Sequence, residues 1–113
     1  MSTTTVFQRP ETVPIFAENC NWLRVFIDPT AGIKITIYKP DGTLAKDYDD
    51  TDIDDKPMTK DAVGKYVFYY SSKPKGTPPV DDPTGWWRYS CKAVDGTGDA
   101  AKTVITNGGF SLN

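Results

Sequence analysis

The sequence predicts an all-β fold, an antiparallel sandwich of two sheets with about seven strands. Short runs of alternating apolar and polar residues are typical of half-buried strands. Clusters of Gly, Pro and Asp separate these runs and supply turns. No window of ten or more residues has the i, i+3, i+4, i+7 spacing of an amphipathic helix.

Chain length and composition limit the function classes. A chain of 113 residues fits one domain, and 38% hydrophobic with 25% charged residues is typical of a protein that folds in water. A net charge of -2 supplies no positive field for nucleic acid. The chain has no histidine, which excludes His-based triads, His zinc sites and a histidine general base.

Several runs have the residue pattern of a strand. Ile33, Ile35 and Ile37 alternate with polar or aromatic residues, and β-branched residues at period two indicate a strand with one buried face. Four prolines make residues 72–85 a long loop. Turns are expected at 40–42, 61–64, 95–99 and 107–109. The predicted strands are 21–28, 33–38, 43–48, 65–71, 86–94, 102–106 and 110–112.

Residues 1–19 are predicted to form an extended N-terminal arm, and residues 20–113 the sandwich domain. The arm combines two prolines and three consecutive threonines with scattered apolar side chains. Exposed apolar residues on an arm need a cover, from the body of the same subunit or from a neighbour. The candidate contact residues of the arm are Val6, Phe7, Val13, Ile15 and Phe16.

Trp86 and Trp87 are a second candidate feature. Neighbouring side chains on a strand face opposite ways, so one indole belongs to the core and the other to the surface. Trp87 is in register with Tyr89 and Cys91 and is the predicted core residue. Trp86 is the candidate for contact with a protein partner or, alternatively, with a sugar.

The acidic run 47–55 is a candidate calcium loop, because hard cations bind clustered carboxylates. Counted from Asp50, alternate aspartates occupy loop positions one, three and five. Position six is Asp55 instead of glycine, position twelve is Asp61 instead of glutamate, and no helix flanks the run. We therefore expect a solvated acidic loop with no metal. A glycosidase carboxylate pair is disfavoured because such pairs are built from separated elements in a cleft, and these carboxylates lie in one run.

The two cysteines, Cys20 and Cys91, lie in predicted strands that a sandwich could bring together. No basic segment followed by an apolar stretch begins the chain, so we expect no signal peptide, and no window is apolar enough for a spanning helix. Synthesis in a reducing compartment favours free thiols, and no histidine is present to activate them. We predict no catalytic residue and no cofactor.

Four segments together resemble a known family: Ile33–Leu44, Met58–Tyr70, Thr84–Tyr89 and Gly108–Leu112. They are similar to small immunoglobulin-like virion proteins of tailed bacteriophages, which are encoded among head and neck genes, and more loosely to bacterial immunoglobulin-like surface modules. The resemblance covers roughly residues 20–112 and rests on turn residues and core aromatics. It implies an immunoglobulin-like antiparallel β-sandwich and no catalytic residue.

The resemblance also implies a function. It suggests a non-enzymatic structural virion protein, a capsid decoration or accessory head protein that binds and stabilises the phage head. Its partners would be the major capsid protein or other virion proteins, with a second copy of the chain as a further candidate, and no nucleic acid or membrane. It would be made in the host cytoplasm and located in the virion. Two alternatives stay open: an adhesive or carbohydrate-binding module acting through Trp86 and loop 72–85, and a neck or tail component of the same virion.

Overall fold

The computed structural model describes residues 6–20, 23–96 and 102–113, and these form eight strands in two sheets. The all-β sandwich predicted from the sequence is confirmed. One sheet has five strands in the order β1-β8-β7-β3-β4, and the other has three in the order β2-β6-β5. Every pairing is antiparallel except β1 with β8. The strands are β1 Val6–Phe7, β2 Thr12–Glu18, β3 Ile33–Tyr38, β4 Lys56–Pro57, β5 Thr59–Ala62, β6 Lys65–Ser71, β7 Gly85–Asp95 and β8 Lys102–Leu112.

The core lies between the two sheets and follows the period-two pattern. Side chains on the inner faces of β3, β6 and β7 are buried, as their alternation predicts. In the part of the chain that the structure describes, no helix is long and apolar enough to cross a membrane. The largest fully buried side chains include Trp87, Tyr70, Ile35, Ile37, Ile53, Leu112 and Val13.

The predicted N-terminal arm is wrong for the residues described. All seven residues of β2 pair with β6, from Thr12 opposite Ser71 to Glu18 opposite Lys65, so this segment is part of the sandwich. The sequence contains Pro14 here, which is tolerated because β2 is an edge strand. The body of the same subunit thus covers much of the apolar surface of the segment. Residues 1–5 lie outside the described part.

The predicted turn at 107–109 is also wrong, because β8 runs unbroken through it. β8 pairs with β7 from Lys102 opposite Asp95 to Leu112 opposite Gly85. A Cβ at Gly108 would lie 2.4 Å from the Tyr89 ring, and one at Gly109 would lie 2.5 Å from the Trp86 ring. The two glycines are needed for close approach of aromatic rings to the strand, and not for a turn.

The strand predicted at 21–28 is absent from its described part, residues 23–28. A single bridge joins Cys20 to Phe26, and Arg24 has a positive φ of 63°, which interrupts an extended backbone. Leu23 and Val25 are consequently 60% and 55% exposed. Residues 21 and 22 of this prediction lie outside the described residues.

The predicted return strand at 43–48 is reduced to isolated bridges, Tyr38 with Leu44 and Lys46 with Asp52. The turn before it is confirmed. Gly42 has a φ of 88° and its N–H donates to the Lys39 carbonyl at 2.9 Å.

Both Gly64 and Gly42 have a positive φ that favours glycine, but only Gly64 also lacks space for a side chain. Gly64 has a φ of 69°, and a Cβ there would lie 2.5 Å from the Asn19 carbonyl oxygen, whereas a Cβ at Gly42 meets nothing within 4 Å. We expect Gly42→Ala to lower the free energy of unfolding by about 1–2 kcal/mol. Gly64→Ala should lower it by at least about 2 kcal/mol more, because backbone must move. Urea unfolding of both variants measures this, and equal losses would contradict the steric explanation.

Candidate protein-binding surface

The structure divides the predicted contact residues of the N-terminal segment between core and surface. Val13 and Ile15 are 1% and 3% exposed on the inner face of β2, so their assignment as partner contacts is wrong. Phe7 is half-buried and packs edge-on against Phe110, with ring centroids 6.2 Å apart. Val6 and Phe16 remain exposed.

Phe16 belongs to an exposed surface on the outer side of the three-stranded sheet, which we call the apolar face. It consists of Pro14 and Phe16 on β2 and Val67 and Tyr69 on β6, paired Phe16 with Val67 and Pro14 with Tyr69. Phe16 and Tyr69 are 63% and 62% exposed, whereas Val67 is only 4% exposed. Two exposed aromatic rings therefore project from this face, on which Val67 itself is buried.

Tyr69 is a surface residue that sequence reasoning missed, although the signal for it was present. Tyr66, Phe68 and Tyr70 alternate along β6 and share one face, and all three are buried. The same alternation puts Val67 and Tyr69 on the opposite face. Phe16 lies on the same face because β2 pairs with β6. That pairing joins strands that are far apart in the sequence, so the local pattern does not predict it.

The two ends of the apolar face are polar. Glu18 lies opposite Lys65 at one end, and Thr12 lies opposite Ser71 at the other. The Lys65 ammonium also lies 4.9 Å from the centre of the Phe26 ring. An apolar centre with a polar rim is the arrangement found at protein–protein interfaces.

Trp86 and Trp87 have the opposite environments predicted for them. Trp87 is fully buried, and its indole N–H donates to the Pro83 carbonyl at 3.1 Å. Trp86 is 54% exposed on the outer side of the five-stranded sheet, where its ring lies against Gly109.

A depression of about 380 Å³ lies on the five-stranded sheet. Outward-facing side chains of β3, β7 and β8 near Trp86 line it. The lining therefore combines aromatic, basic and amide groups. The lining residues are Tyr38, Arg88, Tyr89, Ser90, Asn107 and Gly108.

Lysine side chains form ion pairs with aspartates of the acidic run 47–55. Lys56 pairs with the buried Asp47, and Lys46 lies 2.7 Å from Asp52. Lys92 on β7 reaches Asp55 at 3.1 Å. Within residues 6–20, 23–96 and 102–113, no three acidic or cysteine side chains are grouped so that they could hold a metal.

A buried ion pair holds the proline-rich loop 72–85. The Lys75 ammonium lies 2.9 Å from Asp82 Oδ2, and both side chains are 8% exposed. The Tyr70 hydroxyl donates to the same oxygen at 2.5 Å, and Lys75 donates to the Tyr70 oxygen at 3.1 Å. Burial first, and then the Asp82 carboxylate, raise the pKa of Tyr70 far above its ordinary value, so it acts as a hydrogen-bond donor.

The two thiols are free and differently placed. Cys20 is exposed and Cys91 is buried on the inner face of β7. Burial raises the pKa of the Cys91 thiol to about 11. Cys91 is therefore a protonated core side chain.

Removing one partner of the buried pair should cost far more than removing one partner of an exposed pair. Asp82→Asn leaves the Lys75 ammonium buried without a counter-charge, and we expect a loss of about 3–5 kcal/mol in the free energy of unfolding. Asp52→Asn, which removes the exposed partner of Lys46, is the matched control and should leave stability nearly unchanged. Chemical unfolding compares the two variants. Similar losses would show that the loop does not depend on the buried charge pair.

The thiols should differ in reactivity. At pH 8 the raised pKa leaves almost no Cys91 thiolate, so we expect an aromatic disulfide reagent to modify it roughly a hundredfold more slowly than Cys20. The rates are read from reagent absorbance, with both thiols reacting fast in denaturant. Cys20→Ser should abolish the fast phase. A fast phase that persists in this variant would contradict the placement of Cys91 in the core.

No protein-family model matches this chain, and no curated protein or solved structure matches it either. Three surface features of the described residues are candidates for its function: the apolar face, the depression near Trp86 and the edges of the two sheets.

Proposed function

We propose that this chain is a non-enzymatic structural protein that acts by binding another protein through its apolar face. The observation that supports this most directly is the exposure of Phe16 and Tyr69 at diagonal positions on neighbouring strands of the same sheet face. Aromatic side chains supply much of the binding energy at protein interfaces when a partner removes them from water.

The chemistry of the face favours a protein over other partners. It is apolar at its centre, and Glu18 and Lys65 at its rim have opposite charges. Nucleic acid would require a positive surface, and the chain has a net charge of -2. A folded protein with its own apolar patch is the partner that matches.

We further propose that the setting is the virion of a tailed bacteriophage, where the chain decorates the head and contacts the major capsid protein. The support is the resemblance of Ile33–Leu44 and Met58–Tyr70 to small immunoglobulin-like virion proteins, together with strand order. The order β8-β7-β3 in one sheet and β2-β6-β5 in the other matches strands G-F-C and B-E-D of that fold. This chain departs from antibody-type domains, since its tryptophan pair lies on β7 and Cys91 has no cysteine partner.

A second candidate function is carbohydrate binding by a surface module. The specific observation in its favour is the exposed Trp86 ring near a depression lined by Arg88 and Asn107. Aromatic rings stack on sugars, and amide and guanidinium groups bond to hydroxyls. A glycan array read with the parent and with Trp86→Ala distinguishes this candidate, because only glycan binding predicts a signal that the substitution abolishes.

The apolar face is tested with purified heads that lack the protein. Phe16→Thr combined with Tyr69→Thr removes both rings and keeps good strand propensity, and we expect binding to weaken by about tenfold or more. Trp86→Thr is the matched control, since it removes an equally exposed aromatic from the other sheet. Co-sedimentation with the heads gives the affinities. Unchanged binding by the double variant would contradict the proposal.

Copy number in purified particles separates decoration from a neck or tail position. A decorating protein follows the capsid lattice and is present in hundreds of copies, whereas a ring component is present in about a dozen. Quantitative mass spectrometry against the major capsid protein measures the ratio.

A further inference from the structure

In the part of the chain that the structure describes, the outer edge of β8 is open over most of its length. β1 pairs only with Ser111 and Leu112, at the end of the 11-residue strand. Among the described residues, no strand pairs with this edge between Lys102 and Phe110.

The direction of the backbone groups along β8 follows from its pairing. The Asn113 N–H donates to the Phe7 carbonyl at 2.9 Å, and the Asn113 carbonyl accepts from the Arg9 N–H at 2.9 Å, so residue 113 faces the outer edge. Backbone groups alternate in direction along a strand. The residues that face the open edge are therefore Thr103, Ile105, Asn107 and Gly109.

The other sheet edges carry features that discourage pairing. Pro14 lies on edge strand β2, and β4 is only two residues long and contains Pro57. β5 is exposed, charged at Lys60 and Asp61, and irregular in its register. Prolines, charges, bulges and short strands are the usual ways in which proteins protect an edge.

The open edge of β8 has almost none of this protection. Its described residues include no proline, its pairing with β7 is regular throughout, and Lys102 is its single charged residue. Val104 and Ile105 are each 58% exposed. A long, regular, β-branched edge of this kind favours addition of another strand.

We propose that a second copy of this chain covers the edge, with β8 paired antiparallel to β8 of the partner subunit about a two-fold axis through Thr106. This register is the one that pairs all four outward-facing residues. Thr103 bonds with Gly109 of the partner subunit, and Ile105 with Asn107 of the partner subunit, each in a hydrogen-bonded pair. With the axis at residue 105, Gly109 would have no partner within β8. With the axis at residue 107, Thr103 would lie opposite Ser111, which is already paired with β1.

The side chains of the two halves of β8 are complementary in this register. Val104 lies opposite Gly108 of the partner subunit, and Thr103 lies opposite Gly109 of the partner subunit. Each glycine is covered by an aromatic ring of its own subunit, Tyr89 for Gly108 and Trp86 for Gly109. The β-branched half of one strand would therefore pack against the rings that cover the glycine half of the other.

Charge and side-chain pairing also favour a second copy. Lys102 lies at the outer end of the strand, so the two lysines of a dimer lie at opposite ends of the ladder and do not face each other. Thr106 faces its own copy, and Thr–Thr pairs are favourable between strands.

Substitution at the two-fold axis tests the register. Thr106 is exposed, so a charged residue is tolerated in the monomer. We expect the full chain to sediment as a dimer at about 10 µM, and Thr106→Lys and Thr106→Glu each to be monomeric because like charges then face each other. Mixing the two variants should restore a dimer that contains one of each. Thr59→Lys, on the edge strand β5, is the matched control and should remain dimeric.

Ile105→Pro is a second variant with a different mechanism. It removes an N–H that points to the open edge and not to β7, so the monomer loses no bond of the β7–β8 ladder. We expect association at least about tenfold weaker, with an unchanged β circular-dichroism spectrum.

Three outcomes would overturn the proposal. One is a full chain that stays monomeric, and another is a dimer that survives Thr106→Lys unchanged. The third is dimerisation only after deletion of residues 1–5, which would mean that the edge is covered within one chain. None of these outcomes bears on binding through the apolar face, because that face lies on the other sheet.

Discussion

The packing of three aromatic rings between the sheets is the interaction on which the rest of the structure depends. Trp87 and Phe110 of the five-stranded sheet stack with centroids 5.7 Å apart, and Tyr70 of the three-stranded sheet lies 5.4 Å from Trp87. These rings remove large apolar areas from water and join β6, β7 and β8 in one cluster.

The same cluster organises the polar groups around it. Trp87 and Tyr70 each turn one polar atom toward loop 72–85, where the Pro83 carbonyl and Asp82 receive them. A proline-rich segment without a ladder of its own is thereby fixed by a buried ion pair and two core side chains. Among the described residues, no buried side-chain nitrogen or oxygen lacks a hydrogen-bond partner.

Local pattern predicted the fold class and the core, because alternation reports directly which face of a strand is buried. The alternation around Ile35 and the opposite environments of Trp86 and Trp87 followed from it. Position in sequence cannot show that β2 pairs with β6, and without that pairing the sequence predicts Val13 as a surface contact. The sequence predicts a turn at Gly108 because the reason for this glycine, the ring of Tyr89, comes from another strand.

The unequal protection of the sheet edges determines how many neighbours the sandwich can bond to through its backbone. Among the described residues, prolines, charges or short strands mark the other edges and β8 has a long regular ladder, so the proposed pairing of β8 with a second copy would make the molecule monovalent for strand addition. A monovalent unit ends its own growth, since one contact uses its open edge and leaves no site for a third copy. The protein can thus have a long β-branched strand at its surface without the continuing sheet growth that leads to fibrils.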